Sequence, residues 1–142
     1  MFTHILLATD GSECALKAAG VAATLASKFA SRLTIINVYQ PVPMVGPFGE
    51  AINLGMNDNY IDTVQDDAIN SASRIVDGHD VPYQCRKEIG PPEAEIVRVA
   101  EEEVCDLIVL GSRGLNAVES FFLGSVSNHV THHAHCPVLI VR

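Results

Sequence analysis

The chain has 142 residues, which suits one domain, and its hydrophobic fraction of 48% beside a charged fraction of 18% is typical of a globular protein. Its formal net charge of −8 disfavours nucleic acid as a partner, because binding to phosphate backbones requires a basic surface. No apolar run is long enough to span a bilayer, and the chain opens on a strand pattern rather than a signal peptide. We therefore expect a soluble, cytoplasmic protein with no membrane insertion.

The first part of the chain alternates strand and helix. Residues 4–8 form an apolar run that ends in the turn-forming sequence TDGS, which predicts a strand followed by a turn. Residues 13–30 place alanines at helical spacing and predict a helix that lies close to a sheet. A second strand is predicted at 33–39, where Ile and Val are frequent. The next stretch, 40–59, contains several prolines and glycines and shows no clean period.

The second part continues the same alternation. Apolar residues at helical spacing predict a helix at 60–76, and a weakly alternating run that contains Pro82 predicts an edge strand at 81–88. The sequence GPP at 90–92 predicts the start of a helix that runs to about residue 104, since proline is tolerated in the first helical turn. The remaining elements are a strand, a helix and a strand, predicted at 107–110, 125–134 and 138–141.

The order of these elements predicts the fold class. Short strands separated by helices pair in parallel through right-handed crossovers. We predict one α/β domain over residues 1–142, with a doubly wound, Rossmann-like sheet of five parallel strands and helices on both faces. The predicted strand order is 3-2-1-4-5. It places the first and fourth strands, the most continuously apolar ones, near the centre.

Two glycine-containing turns mark the predicted ligand site. Ligands of doubly wound sheets bind beyond the carboxyl ends of the strands, where the strand order reverses. The first strand runs into the sequence ATDGS at 8–12, and the fourth runs into LGSRG at 110–114. The second turn extends into a larger pattern, Gly111-x2-Gly114-x9-Gly124-Ser125.

This larger pattern suits a phosphate group. Gly111 and Gly114 let a ligand approach the backbone, and the helix predicted after Gly124 presents free N–H groups and a favourable dipole. Arg113 adds a positive charge, and Ser125 either donates its hydroxyl to a phosphate or simply caps the helix. From spacing alone, an interpretation in which the glycines only shape the loop stays equally open. The sequence has no P-loop and no GxGxxG after the first strand, which disfavours a fast phosphotransferase.

Four segments of the chain carry a resemblance to a known family. They are DLIVLGSRGL from Asp106, FLGSVS from Phe122, CPVLIV from Cys136 and HILLATDGS from His4. Together they resemble the universal stress protein family over essentially the whole chain, most weakly across 40–59. The glycine pattern is that of the family branch that binds ATP, and it is intact. The resemblance implies a domain that binds ATP, or ADP or AMP, with Mg²⁺.

The resemblance also implies a set of nucleotide contacts. Asp10 would face the ribose or a phosphate-bound Mg²⁺, although an aspartate here also suits a turn. The ends of the first two strands would line the adenine pocket, the turn after the fourth strand would flank the ribose and phosphates, and the start of the last helix would bind phosphates. With Thr9 as a further contact, these positions are Ala8, Val38, Leu110, Gly111, Arg113, Gly114, Gly124, Ser125 and Val126.

The last predicted strand suggests a second copy of the chain as a partner. Its apolar residues lie at a sheet edge, and an unpaired apolar edge favours pairing. Members of the family dimerise through the equivalent strand, so the resemblance implies a homodimer through Val138, Leu139, Ile140 and Val141. The alternative is an edge protected only by Arg142 and its own short length.

Two further features invite functional interpretation. The predicted last helix carries His129, His132 and His133, and His135 follows directly after it. The spacing of the helical histidines suits a metal. Basic residues at a helix C-terminus are favourable on dipole grounds alone, so we assign no physiological metal there. The 40–59 stretch follows the second strand, and it is interpreted either as a flap over the nucleotide or as a docking surface for a protein partner.

Three functions follow from these observations. The leading one is an ATP-binding universal stress protein that acts as a dimeric, nucleotide-dependent regulator of an unknown protein partner in the stress response. No nucleophile with a base can be assembled from the sequence, so no catalytic residue is assigned and enzymatic activity is not expected as the principal role. Slow Mg²⁺-dependent ATP hydrolysis or another ATP-using activity is the second hypothesis, and a dimeric interaction protein without nucleotide is the third.

Overall fold

The fold is a five-stranded parallel sheet covered by helices on both faces. The computed structural model describes residues 1–52, 58–115 and 123–142. Its strands are β1 (His4–Ala8), β2 (Arg32–Tyr39), β3 (Met44–Val45), β4 (Ala51–Ile52), β5 (Tyr83–Ile89), β6 (Leu107–Gly111) and β7 (Val138–Val141). Its helices are α1 (Glu13–Phe29), α2 (Asp58–Asp77), α3 (Pro92–Glu102) and α4 (Ser125–His133).

The strand order of the large sheet is β5-β2-β1-β6-β7, with every neighbouring pair parallel. Counting only these five strands along the chain, the order is 3-2-1-4-5, so the predicted topology is confirmed. The strand that follows Pro82 lies at an edge, as predicted. The order reverses between β1 and β6, and this is the crevice where ligands of such sheets bind.

Two hydrophobic clusters lie on opposite faces of the sheet. On one face Ile5 and Leu7 pack with α1 and α2. On the other face Leu6 and Ile108 pack with α3 and α4. Successive residues of a strand point to opposite faces, so the continuously apolar β1 contributes to both clusters.

Helix α1 lies very close to the sheet because of its alanines. Ser12 caps its N-terminus, with the Ser12 hydroxyl accepting the N–H of Ala15 at 3.3 Å. The helix ends at Ala30, which has a left-handed conformation with φ 53°. Its buried residues are all alanines, Ala15, Ala18, Ala19, Ala22, Ala23 and Ala26. The close packing brings the first turn of α1 against the end of β6, which shapes the site described below.

The segment 40–59 differs from its prediction. Instead of a stretch without secondary structure, it contains the antiparallel pair β3 and β4, and α2 begins at Asp58. A tight turn joins the two strands: the Gly46 N–H donates to the Glu50 carbonyl at 2.8 Å, and Gly49 has φ +81°. Strands of two residues are too short to produce a periodic pattern, which is why the sequence did not reveal them. Residues 53–57 of this segment lie outside the described residues.

No helix in the described part of the chain is long and apolar enough to cross a membrane.

Candidate functional site

A cavity of about 630 Å³ opens at the carboxyl ends of β1, β2 and β6. All eleven positions that the family resemblance implies as nucleotide contacts line this cavity. They are Ala8, Thr9, Asp10, Val38, Leu110, Gly111, Arg113, Gly114, Gly124, Ser125 and Val126. The volume lies within the range of small-molecule sites. The structure thus brings these residues together, and their contact with a nucleotide stays a prediction.

Much of the cavity lining is apolar. Ile36 and Val38 contribute to it from β2, and Leu110 contributes from β6. Side chains from two helices complete the wall, namely Val64 and Ala68 of α2 and Pro92 and Ile96 of α3. Their helical spacing marked Val64, Ala68 and Ile96 as buried residues in the sequence. It did not show that they face a cavity, because that depends on where each helix crosses the sheet.

Two buried amide side chains brace the cavity floor. The Asn37 Nδ2 donates to the Thr9 carbonyl at 2.8 Å, which ties the ends of β2 and β1 together. The Gln65 Nε2 donates to the Glu88 carbonyl at 2.9 Å, and Gln65 is only 2% exposed. Neither residue was singled out from the sequence. A glutamine on the apolar face of the predicted helix was the available signal, since buried polar groups require partners.

The turn after β1 is held by the carboxylate of Asp10. The Ser12 N–H donates to Asp10 Oδ1 at 2.9 Å, which forms an Asx turn. The Leu115 N–H, on the connection after β6, donates to Asp10 Oδ2 at 3.0 Å. Gly11 lies between Asp10 and Ser12 in this turn. It has φ +80°, a backbone conformation that residues with L side chains rarely adopt.

At positions 111 and 114, a Cβ atom would come very close to other groups of the protein. A Cβ at Gly111 would lie 2.8 Å from the Cys14 carbonyl carbon, because α1 approaches β6 so closely. A Cβ at Gly114 would lie 2.6 Å from Asp10 Oδ2. In the sequence, both glycines suit either the approach of a ligand or the shape of the loop. Packing against α1 requires glycine at position 111, whereas a side chain at position 114 would force the Asp10 carboxylate to move.

The start of α4 offers backbone N–H groups to the cavity. Gly124 is the N-cap and makes no side-chain capping bond, so the interpretation of Ser125 as the N-cap is wrong. Ser125 is instead the first helical residue, and both it and Val126 line the cavity. The N–H groups of a first helical turn have no intrahelical acceptor. The Gly124 N–H is already used, because it donates to the Ser112 carbonyl at 2.8 Å.

Arg113 and Asp10 are the charged side chains among the described residues that line the cavity. The Arg113 guanidinium forms no ion pair with another residue in the described part of the chain. The sequence between Gly114 and Gly124 adds no lysine or arginine and contains one acid, Glu119. The site therefore combines one cation, one carboxylate that accepts two N–H bonds, and the N-terminus of α4.

A Mg²⁺ ion would find few protein ligands here. Asp10 is the carboxylate available at the cavity, and Mg²⁺ in nucleotide sites is typically held by phosphates, water and one or two carboxylates. Within residues 1–52, 58–115 and 123–142, only His4, Glu103 and Cys105 place three potential ligand atoms within 4.8 Å of one another. That group lies at the opposite end of the sheet, so any Mg²⁺ at the cavity would depend chiefly on the phosphates of its nucleotide.

The C-terminal histidines do not form such a group in the described structure. The rings of His129 and His133 stack with centroids 3.9 Å apart. The Nδ1 atoms of His132 and His133 each lie within 3 Å of the carbonyl oxygen four residues earlier. His135 lies 4.0 Å from a carboxylate oxygen of Glu101. Basic residues at this end of α4 are favourable on dipole grounds, and the absence of a physiological metal there stays a prediction.

A polar cluster that the sequence did not reveal lies at the amino ends of the strands. The His4 ring contacts the Glu103 carbonyl through Nδ1 at 3.1 Å and the Thr34 hydroxyl through Nε2 at 2.9 Å. The Thr34 hydroxyl donates to Glu103 Oε2 at 2.7 Å, and Arg86 donates to Glu103 Oε1 at 3.0 Å. Burial raises the pKa of the neighbouring Cys105 thiol to about 12. We call His4, Thr34, Gln84, Arg86 and Glu103 the amino-end cluster; its members come from four separate parts of the chain.

Comparisons with known proteins agree with this architecture. The model of the Universal stress protein family matches residues 1–142. A universal stress protein of Thermus aquaticus is 39% identical over 146 residues, which cover 100% of both chains. The universal stress protein UspA from Lactobacillus plantarum has 25% identity and a TM-score of 0.77, covering 99% of this chain and 97% of its own. A universal stress protein in complex with cAMP has 25% identity, a TM-score of 0.73 and the same coverage. The chain therefore belongs to the universal stress protein family.

Proposed function

We propose that the cavity binds an adenine nucleotide and that the protein acts as a dimeric, nucleotide-dependent regulator in the stress response. The observation that carries this proposal is the convergence of the eleven family positions, from four separate chain segments, on one cavity. The cAMP complex of a similar universal stress protein supports the same class of ligand. ATP is the nucleotide that the intact glycine pattern favours, and ADP, AMP and cAMP share its adenosine.

The two halves of the cavity suit the two halves of a nucleotide. The apolar wall of Val38, Val64 and Ile96 offers the base a surface that excludes water. The lining also includes Arg113 and the first turn of α4, whose charge and N–H groups favour a phosphate. The acidic overall charge does not oppose this arrangement, because the attraction is local. When ATP is bound, Mg²⁺ would neutralise phosphate charge that a single arginine cannot.

Calorimetry tests the proposal directly. Wild-type protein is titrated with ATP plus Mg²⁺, with AMP and with cAMP, beside the variant Arg113→Gln. We expect micromolar binding of at least one nucleotide and about tenfold weaker binding by the variant, since a charge-assisted phosphate contact is lost. Arg74→Gln is the matched control, because Arg74 is exposed in α2 and does not line the cavity. Absence of binding to folded wild-type protein, for all three nucleotides, would contradict the proposal.

We also propose the homodimer through β7. This strand pairs with β6 on one side only, so its other edge is open within the described chain. Leu139 is 36% exposed, and Val138, Ile140 and Val141 are half-buried. Light scattering on wild-type protein should give twice the monomer mass, and Leu139→Glu should reduce it to the monomer mass. Phe48→Glu, on the exposed hairpin, should leave the mass unchanged. A wild-type monomer at micromolar concentration would rule the dimer out.

A further inference from the structure

The turn after β1 and the connection after β6 are tied together by side-chain contacts. Asp10 accepts the Leu115 N–H across 105 residues of sequence, while its other oxygen accepts the N–H of Ser12. A second hydrogen bond joins the same two segments: the Ser12 hydroxyl donates to the Arg113 carbonyl at 3.4 Å. The segment 112–115 therefore does not stand alone beside the cavity. It is bonded to the turn that begins α1.

Gly114 shows how closely these two turns fit. Its α-carbon faces Asp10, and an added Cβ would lie 2.6 Å from Oδ2, closer than such atoms approach in real structures. An alanine at this position could not coexist with the carboxylate unless one of them moved. The glycine at position 114 thus leaves the space that the Asp10 carboxylate fills. This explanation requires no ligand.

The environment of Asp10 argues against a primary role as a metal ligand. An anion beside a phosphate-binding segment is unfavourable unless its charge is compensated. Here each carboxylate oxygen accepts a backbone N–H, and such charge-assisted bonds are the stronger hydrogen bonds in proteins. The two N–H groups thus compensate the charge of Asp10 within the protein.

We infer that Asp10 is a positioning residue that latches the segment 112–115 to the turn after β1, and so holds Arg113 and Gly114 at the cavity before any nucleotide arrives. The functional part of this inference rests on the nucleotide site proposed above. The structural part does not, because the latch consists of bonds between groups of the protein itself. Preorganised loops bind more tightly because less conformational entropy is lost on binding.

Amide hydrogen exchange on nucleotide-free protein, followed by NMR, tests the latch. In Asp10→Asn an amide replaces the carboxylate, so one of its two positions carries an NH₂ group that cannot accept a hydrogen bond. If Oδ1 keeps the Ser12 bond, Leu115 loses its acceptor. We expect exchange at the Leu115 N–H to be about tenfold faster or more than in wild type. Asp67→Asn, an exposed acid on α2, is the matched control and should leave this exchange unchanged.

Gly114→Ala provides a second and independent route to the same result. It retains Asp10 but forces the carboxylate and the segment apart, so exchange at Leu115 should rise as in Asp10→Asn. Both variants are first checked for intact folding by circular dichroism and urea unfolding. Leu115 exchange unchanged from wild type in both folded variants would overturn the latch.

Nucleotide affinity then separates positioning from metal binding. If Asp10 positions the segment, Asp10→Asn should weaken AMP without metal and ATP with Mg²⁺ by a similar factor, about tenfold. If Asp10 held Mg²⁺ instead, only the Mg²⁺-dependent affinity would fall, and that result would overturn the inference. Should no nucleotide bind even to wild type, the proposed function fails while the exchange result still decides the latch.

Discussion

The two ends of the parallel sheet carry polar side chains in different arrangements. At the amino ends, the amino-end cluster bonds within itself: Thr34 and Arg86 donate to Glu103, and His4 lies against both Thr34 and the Glu103 backbone. At the carboxyl ends, Arg113 forms no ion pair with the described residues, and the first turn of α4 faces a cavity. Both regions are polar, and both draw residues from distant parts of the chain.

The difference shows how polar groups divide between stability and binding. Groups that satisfy one another inside a protein stabilise the fold and leave nothing for a ligand. Groups positioned by the fold, with N–H donors and charge still directed at a cavity, are suited to bind. Asp10 belongs to the first kind although it sits at the carboxyl end, since its oxygens accept N–H groups of the protein. Three experiments test this difference between the two ends of the sheet.

The largest effect is expected at the amino-end cluster. Glu103→Ala removes the acceptor shared by Thr34, Gln84 and Arg86, so the buried Thr34 hydroxyl loses the carboxylate to which it donates. We expect the free energy of unfolding to fall by about 3 kcal/mol, measured by urea denaturation. Glu101→Ala, at an exposed position in the last turn of α3, should change it by less than about 0.5 kcal/mol. Equal effects of the two substitutions would show that the cluster does not stabilise the fold.

At the carboxyl end, Gly111→Ala probes the contact between β6 and α1. The new Cβ would lie 2.8 Å from Cys14 and 2.9 Å from the Ala15 nitrogen, so a backbone segment must shift. We expect a loss of about 2 kcal/mol in urea denaturation, as for overpacked cores. Gly78→Ala is the control, because its Cβ would meet only the Ile75 carbonyl oxygen at 3.5 Å. A Gly111→Ala protein as stable as the control would mean that α1 can move away freely.

The smallest effect is the acid dependence of the amino end. Burial tends to raise the pKa of Asp106, but the N–H and hydroxyl of Thr3 and the N–H of His4 outweigh it and lower that pKa below its ordinary value of 3.8. Burial also tends to raise the pKa of Glu103, but the hydrogen bonds from Thr34 and Arg86 outweigh this effect. They lower the pKa of Glu103 below its ordinary value of 4.5. A carboxyl with a lowered folded-state pKa contributes stability that is complete above the ordinary value and is lost as pH falls through the folded-state pKa.

Urea denaturation between pH 7 and pH 3 measures this dependence. Stability should hold down to about pH 5 and then decline. Asp106→Asn should cost about 1 kcal/mol at pH 7 and make the decline shallower. A wild-type stability that does not change between pH 5 and pH 3, or a variant with an unchanged slope, would show that these carboxylates are not coupled to folding.

Much of the fold could be predicted because it depends on local patterns. The alternation of apolar strands and periodic helices indicated five parallel strands, and Pro82 marked the edge strand. The hairpin formed by β3 and β4 was missed, since two-residue strands carry no period. The sequence allows Ser125 as the N-cap of the last helix, whereas the structure has Gly124 at the N-cap. Serine and glycine are both common at this position, so the sequence does not distinguish them.

The candidate site was predictable in its glycine-marked turns and less so in its walls. The positions flanking Gly111 and Gly124 could be identified because their spacing is a pattern along the chain. Val64 and Ile96 could be identified only as buried residues, since the crossing of α2 and α3 over the sheet decides which of their side chains reach the cavity. Asn37 carries almost no signal in the sequence, because a buried amide looks like any other polar residue there, and the signal for Gln65 is its place on the apolar face of a predicted helix.

By itself the amino-acid sequence determined the order of strands and helices, the two turns at the switch point and the family, because each is encoded in residues that are neighbours or lie at short, regular spacings. Only the tertiary structure decided the rest: the latch between Asp10 and Leu115, the close contact of Gly111 with α1, and the cluster around Glu103. These contacts join residues that are far apart in the chain. Their geometry follows from the way helices and strands pack, which no local pattern contains.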